Sequence, residues 1–352
     1  MYLNELCQNI GPLDSAAMEQ ARRNWDSVAK PLHSLGKVED LLVQIAGVTG
    51  SAQIDLSRKA VVAFCADNGV VAEGVTQCGQ EVTALVAESF ARGTTPVCRM
   101  AQVAGVDILP VDIGLCREVT EPGVLQRAVR RGTADLAKEP AMSRAEAVQA
   151  IETGISLVQE CKEQGYRLLA TGEMGIGNTT TSSAVTAVLL GAPVVQVTGR
   201  GAGLSTAGLE RKREVISHAI ALHQPDPNDS IDVLAKVGGL DLAGMVGLYL
   251  GGAAYHVPVV MDGFIAGTAA LAAVRLCPAV RDYLIPSHQS SEPAVKLLMD
   301  ALGLSPVLRA EMCLGEGTGA VALMPLLDMA LAVYRDTPSF GEMHMEAYTE
   351  QV

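Results

Sequence analysis

Short apolar runs, separated by Ala-rich helical stretches and each ending in small or polar residues, constrain this chain more than any other feature. They are Lys59–Cys65, Val106–Val111, Tyr166–Ala170, Val257–Met261, Asp282–Pro286 and Val307–Met312. None alternates polar with apolar residues, so each is expected to be covered on both faces, as in a parallel sheet with helical crossovers. Ala141–Glu163 and Ser205–Leu222 read as such crossovers. After the runs come Ala66-Asp67-Asn68-Gly69, Asp112-Ile113-Gly114, Thr171-Gly172-Glu173, Asp262-Gly263, Ser287 through Pro293 and Leu314-Gly315-Glu316-Gly317. In an open parallel sheet that carboxyl edge is where ligands bind.

The fold class is therefore α/β: a Rossmann-like parallel sheet flanked by helices, with a smaller helical domain formed from both ends of the chain. Residues 1–50 contribute helices over Asp14–Ala29, stopped by Lys30-Pro31, and over Leu35–Ile45, with Ser34 as its expected cap. Residues 58–320 are the large domain with the site, and 321–352 complete the small one. Leu326–Tyr334 closes the structured region and Thr337–Val352 reads as loosely ordered. Gly238–Gly252 and Ala266–Val274 carry few charges and need burial on all sides, as central helices or in a subunit interface. Dimerisation is the preferred reading.

Charge narrows the partners. Lys+Arg 26 against Asp+Glu 39 gives −13, and no basic stripe interleaved with aromatics offsets it, so nucleic acid is excluded as a partner. Any phosphate must be held by local amides and one or two bases. The eight cysteines are scattered with no CxxC pair, and the start lacks a basic n-region, which points to reduced thiols in a cytoplasmic protein. Apolar runs are broken by Gly, Pro or charge before membrane-spanning length, so no membrane partner is expected. The six histidines are dispersed, and no metal site or cofactor is expected.

The strongest motif is Gly172-Glu173-Met174-Gly175-Ile176-Gly177-Asn178-Thr179-Thr180, set between an apolar run and the apolar segment Ser182–Leu190. Strand, glycine turn and helix start aim free N–H groups at an anion. The spacing fits neither a dinucleotide fingerprint nor a P-loop. Such a turn can be tight geometry alone, yet the trailing Asn and hydroxyls supply more donors than a turn requires. Gly199-Arg200-Gly201-Ala202-Gly203 is a further loop, and the following helix carries Arg211-Lys212-Arg213. Lys212 is the chosen partner for a phosphate dianion, a solvated basic turn being the bland alternative.

Cys313-Leu314-Gly315-Glu316-Gly317-Thr318-Gly319 repeats the Gly-Glu theme ahead of an apolar helix, Ala320–Tyr334. A carboxylate between two glycines and beside apolar groups has its pKa raised, which suits it to take a proton from a weakly acidic nucleophile. The alternative for Glu316, and for Glu173, is an acid serving a helix dipole. Asp67-Asn68-Gly69 and Asp262-Gly263 can be turns only, and of the histidines His288 alone lies in a promising loop, a structural role being its alternative.

These motifs resemble the nicotinate-nucleotide:5,6-dimethylbenzimidazole phosphoribosyltransferase family. The likeness includes Lys30-Pro31-Leu32-His33-Ser34-Leu35-Gly36, Ala66-Asp67-Asn68-Gly69-Val70, Glu73-Gly74-Val75, Gln80-Glu81-Val82-Thr83, the Gly172–Thr180 motif, Gly199-Arg200-Gly201, Asp262-Gly263-Phe264, Ser287-His288 through Glu292-Pro293, and Leu314–Gly319. The resemblance implies transfer of ribosyl phosphate from nicotinate mononucleotide to an aromatic base, by a homodimer. It implies Glu316 as general base. Glu173, Met174, Gly175, Ile176, Gly177, Asn178, Thr179, Gly201, Ala202, Gly203, Lys212 and Gly315 would hold the nucleotide, and Gly79, Gln80, Ser290 and Ser291 would form the acceptor pocket. The donor's pyridinium is already cationic, so only the incoming base must lose a proton, and one carboxylate suffices.

Asn68 stands where the family commonly has histidine, His33 where glycine is usual, and Cys78-Gly79 where Tyr-Pro or Ser-Pro is frequent. These departures blur the acceptor. A phenolic acceptor, used by related enzymes that include heterodimers, would need the same base. A non-catalytic sugar-phosphate-binding partner subunit is the other alternative, and a Rossmann dehydrogenase is disfavoured by the missing GxGxxG.

Overall fold

The computed structural model describes residues 3–349. Its strands are β1 (Lys59–Ala66), β2 (Val106–Gly114), β3 (Leu125–Gln126), β4 (Leu168–Met174), β5 (Val259–Met261) and β6 (Leu284–Pro286). All pair in parallel, in the order β3-β2-β1-β4-β5-β6. The order reverses between β1 and β4, and ligands in open α/β sheets bind at the carboxyl edge near such a reversal.

Five of the expected runs coincide with strands. Val307–Met312 does not: Leu308 makes a single bridge to His288, Glu311 turns left-handed at φ +53°, and 309–311 are exposed. A strand of this sheet needs both faces covered, which this stretch cannot offer. β4 runs four residues past its expected end, so Glu173 lies on the strand itself, paired with Phe64 of β1. Gly172 belongs there because the Glu316 loop passes close: a Cβ would lie 2.8 Å from the Glu316 carbonyl oxygen.

Successive β1 residues feed two cores. Ala60, Val62 and Phe64 pack with helices Arg144–Glu163, Leu240–Tyr255 and Phe264–Leu276. Val61, Ala63 and Cys65 pack with helices Lys37–Thr49, Glu81–Ala91, Pro96–Ala104 and Thr318–Asp336. On that second face the chain ends meet. Helix Lys37–Thr49 packs on Ser15–Ser27 and on Thr318–Asp336, and the Trp25 and Tyr334 rings meet edge-on at 5.0 Å. Asp14 caps the Ser15–Ser27 helix by accepting from Ala17 N at 2.9 Å. Ser34 caps nothing; the next helix starts later, behind Gly36 at φ +57°. Within residues 337–349, Ser339 bridges Val28 and Phe340 is buried, whereas 341–349 are exposed. Residues 350–352, part of the stretch read as loose, lie outside the described residues.

The two charge-poor segments are central helices within one chain. Leu240–Tyr255 crosses Arg144–Glu163 so closely that a Cβ on Gly247 would sit 1.9 Å from the Ile151 carbonyl oxygen. Their burial is thus accounted for without a subunit interface. Helix Thr318–Asp336, at 19 residues and mean hydropathy 1.3, is long and apolar enough to cross a membrane by length and composition, which the expectation of broken runs did not foresee. Its Pro325 and Asp328 interrupt the apolar face, and Asp328 pairs with Lys59 at 2.6 Å. All eight cysteines are free.

Candidate active site

A cavity of about 240 Å³ opens at the carboxyl edge of β4 and β5. Of the residues expected to hold the nucleotide, it brings together Glu173, Met174, Gly175, Ile176, Asn178, Thr179, Gly201, Ala202 and Gly315, with Glu316 and Ser290. Gly177, Gly203 and Lys212 do not line it, the first and last being buried and Gly203 exposed. Gly177 starts helix Asn178–Leu190 at φ +94°, and Gly203 turns at φ +97° beside Gln77. Gly79, Gln80 and Ser291 lie outside the cavity. Gln80 donates to the Asn68 carbonyl at 3.0 Å, and Ser291 is exposed.

Glu316 owes its position to the backbone. Gly315, Glu316 and Gly317 are left-handed in succession, at φ +86°, +61° and +92°. Two glycines take this conformation freely, whereas a glutamate there costs about 1–2 kcal/mol. Strain of this kind collects at functional sites. The half-buried carboxylate accepts from Val97 N at 3.1 Å, at the start of helix Pro96–Ala104, and also bonds the Thr95 hydroxyl. Burial raises its pKa above the ordinary glutamate value, with those two donors opposing. The helix-dipole alternative therefore holds in part, although the helix served is not the one that follows Glu316 in sequence.

Glu173 plays a different part. It is fully buried, and the Asn178 side-chain amide bridges it to Asp241, donating to the Glu173 carboxylate and to Asp241 Oδ2 at 3.0 Å. Burial, then the charge of Asp241, push its pKa up to about 8. Asp241 itself is pushed by burial up to about 6. Both shifts run upward, so the buried pair favours sharing a proton over standing as two anions beside Glu316.

Lys212 is 1% exposed and donates to Thr179 Oγ1 at 2.8 Å. Burial lowers its pKa to about 8, and Glu292 opposes that shift. The Gly201 N–H donates to Glu292, so the two glycine-containing loops and one buried lysine converge on the same corner of the cavity. A dianion arriving there would meet the ammonium of Lys212 and the hydroxyl of Thr179.

Several residues of the site escaped the sequence reading as functional groups. Asp241, a lone acid opening a long apolar helix, was detectable on that ground. Asp262, read as a turn, is buried and accepts from the N–H groups of Gly319 and Ala320 at 2.8 and 3.0 Å. Phe264, Ile265, Ala266 and Glu292 complete the wall. Among the described residues no group of three or more His, Cys, Asp and Glu side chains is placed to hold a metal.

A cavity at the carboxyl edge of a parallel sheet, with glycine loops, a buried lysine beside one wall and one carboxylate of raised pKa, is the kind of site at which a Rossmann-like enzyme handles a small molecule. Known proteins make this particular. Residues 10–345 match the phosphoribosyltransferase family designated DBI_PRT, and the chain belongs to that family. It is 47% identical over 350 residues to the nicotinate-nucleotide–dimethylbenzimidazole phosphoribosyltransferase of Acetivibrio thermocellus, covering 99% of this chain and 100% of that one. The enzyme of the same name from Chloroflexus aggregans is also 47% identical, with 97% of each chain covered. The crystal structure of CobT from Thermus thermophilus superposes with a TM-score of 0.89 at 40% identity, covering 95% of this chain and 100% of the other. The resemblance drawn from the motifs is borne out.

Proposed function

We propose that this chain transfers the phosphoribosyl group of nicotinate mononucleotide to 5,6-dimethylbenzimidazole or a related lower-ligand base, giving α-ribazole 5′-phosphate and nicotinate for assembly of the cobamide nucleotide loop. The full-length likeness to enzymes of that name supports the reaction. One observation carries the assignment of roles: the left-handed Gly315-Glu316-Gly317 turn that holds a pKa-raised carboxylate at the cavity that Thr179 and Gly201 also line.

In this reading Lys212, Thr179 and the Gly201–Gly203 turn bind the 5′-phosphate, and the ribose lies along Glu173 and Gly175. The acceptor's ring nitrogen attacks C1′ on the face opposite the departing pyridine, so a β-linked donor gives an α-linked product. Glu316 takes the acceptor's N–H proton as the C1′–N bond forms. Nicotinate leaves with the electron pair of the broken glycosidic bond and needs no proton, because its nitrogen was cationic. Apolar Met174, Ile176 and Leu314 line the same cavity and suit a flat aromatic ring.

The reading takes the protein as a cytoplasmic homodimer with a small helical domain drawn from residues 1–50 and 321–352. Val103, 90% exposed, and Met329, 58% exposed, offer apolar surface for a subunit contact. The deciding experiment incubates the purified chain with nicotinate mononucleotide and a panel of benzimidazoles, purines and phenols, and identifies each ribotide and its anomeric configuration. Absence of nicotinate release with every acceptor would leave the partner-subunit alternative standing and refute the proposal.

A further inference from the structure

Two of the eight free cysteines meet where distant parts of the chain join, outside the cavity. Cys7 lies in the last turn of helix Leu3–Asn9, and Cys277 closes helix Phe264–Leu276 at the end remote from the cavity wall. Thirteen residues put that end about 20 Å from Phe264. The Cys7 and Cys277 thiols hydrogen-bond each other, and Cys277 Sγ also stands 3.8 Å from the Cys7 carbonyl oxygen. Sulfurs in such contact need only side-chain rotation to close to the ~2 Å of a disulfide.

The two sulfurs are not alike. Cys277 Sγ accepts from the Cys7 S–H, from the N–H of Ala279 and from that of Val280, which also donates to the Cys277 carbonyl at 3.0 Å. The Cys7 thiol first, then the two backbone donors, hold its pKa below the ordinary thiol value against the opposing effect of burial. Cys7 sits at the carboxyl end of its helix, where the dipole disfavours a thiolate, and its bond to Cys277 and its burial raise its pKa. Cys277 is therefore the nucleophile and Cys7 its protonated neighbour. With Cys277 2% exposed, an oxidant that reaches it must be small.

The helix that carries Cys7 depends on what it docks against. Seven residues form a marginal helix alone. Leu6 and Ile10 are buried in the core that holds helix Phe264–Leu276, and the Tyr283 hydroxyl donates to the Gly11 carbonyl at 3.0 Å. Residues 277–283 thus grip the amino-terminal segment at two points, one of them a pair of thiols.

We propose that Cys7 and Cys277 form an oxidative modification site at which hydrogen peroxide closes a reversible disulfide, stapling the amino-terminal helix to the end of helix Phe264–Leu276. The site is independent of the transfer reaction proposed above. The Cys277 thiolate attacks one peroxide oxygen, the O–O bond breaks, and the sulfur is oxidised to a sulfenic acid as hydroxide departs. That hydroxide takes the Cys7 proton and becomes water. Cys7 sulfur then attacks Cys277 sulfur and displaces the second hydroxide, which leaves as water with the proton that Cys277 had released on ionising. In sum, two thiols and one peroxide give one disulfide and two waters.

The test treats the reduced full chain with hydrogen peroxide at pH 7, quenches with catalase, and maps every cysteine by mass spectrometry without reduction. The expected product is a peptide linking Cys7 to Cys277, formed roughly 3- to 10-fold faster than exposed Cys78, Cys116 or Cys313 is oxidised, since more of Cys277 is thiolate. Dithiothreitol should reverse it. The crosslink joins residues 270 apart, so the oxidised chain should melt roughly 3–10 °C above the reduced one. Cys7→Ser removes the resolving thiol, and dimedone should then trap a sulfenic acid on Cys277. Cys277→Ser should leave Cys7 reduced at the same dose. Oxidation of the exposed cysteines with 7 and 277 untouched, a dimedone adduct on Cys7 in place of Cys277, or a linked chain that melts no higher than the reduced one would overturn the proposal. Should either variant not fold, the wild-type peptide map and melting curves decide by themselves.

Discussion

Replacing Glu173 with Gln isolates the energetics of the buried acid pair. The Glu173 carboxyl is raised by burial, and further by Asp241, from 4.5 to about 8. Its folded pKa therefore exceeds its unfolded one, so between those values the folded chain holds a proton that the unfolded chain has released. Stability is greatest below pH 4.5 in respect of this group and falls as pH rises, with the loss complete near pH 8. Over that interval, at about 1.36 kcal/mol per pH unit, the loss is on the order of 4–5 kcal/mol. Gln preserves the shape and the neutral state and cannot ionise. Equilibrium urea unfolding between pH 5 and pH 8.5 should therefore show the variant gaining on wild type by several kcal/mol as pH rises. Parallel stability curves for the two proteins would refute the claim that Glu173 keeps its proton through neutrality.

Glu316→Gln should lower kcat by roughly 10²- to 10⁴-fold, as lost proton transfer does, while calorimetric affinity for nicotinate mononucleotide is retained. Because burial raises the Glu316 pKa, the acid limb of the wild-type kcat/KM profile should lie above the ordinary glutamate range; an unaltered kcat in the variant removes this group as the base. Lys212→Ala should raise KM for the donor by roughly 10- to 100-fold and leave kcat nearly unchanged. Wild-type donor affinity should also weaken as pH rises through about 8, where the lysine loses its charge, and a flat profile would contradict its phosphate role. Gly247→Ala places a methyl 1.9 Å from the Ile151 carbonyl oxygen and should cost about 1–3 kcal/mol in urea unfolding, a test of the helix crossing that is independent of the site.

The sheet was legible because parallel strands covered on both faces leave unbroken apolar runs, and the crevice because small polar residues recur after each run. β3 was not, since two residues carry no period. The strand expected over Val307–Met312 failed for a reason the apolar count hides: Arg309 and Glu311 stay in water, and the backbone turns left-handed at Glu311. Gly172 misled in the opposite direction, looking like a turn while serving as a strand residue against which another backbone lies. In the site, Glu316 and Lys212 were readable as charges out of keeping with their surroundings. Asp241 left a local trace as a lone acid opening an apolar helix and Asp262 as an Asp-Gly turn, but their partners, Glu173 and the start of helix Thr318–Asp336, lie more than 50 residues away, which no local pattern encodes. Gly79, Gln80 and Ser291 came from the family likeness alone and lie away from this cavity.

The Gly172 strand end and the Gly315–Gly317 turn interlock: a methyl on Gly172 would lie 2.8 Å from the Glu316 carbonyl oxygen, and one on Gly315 would strike the Glu173 carboxyl at 2.5 Å. Neither segment can change its course unless the other yields. Chimeras that import the 313–319 segment from a distant relative should therefore work only when 172–178 travels with it, so that two stretches far apart in the gene behave in engineering, and in descent, as a single cassette.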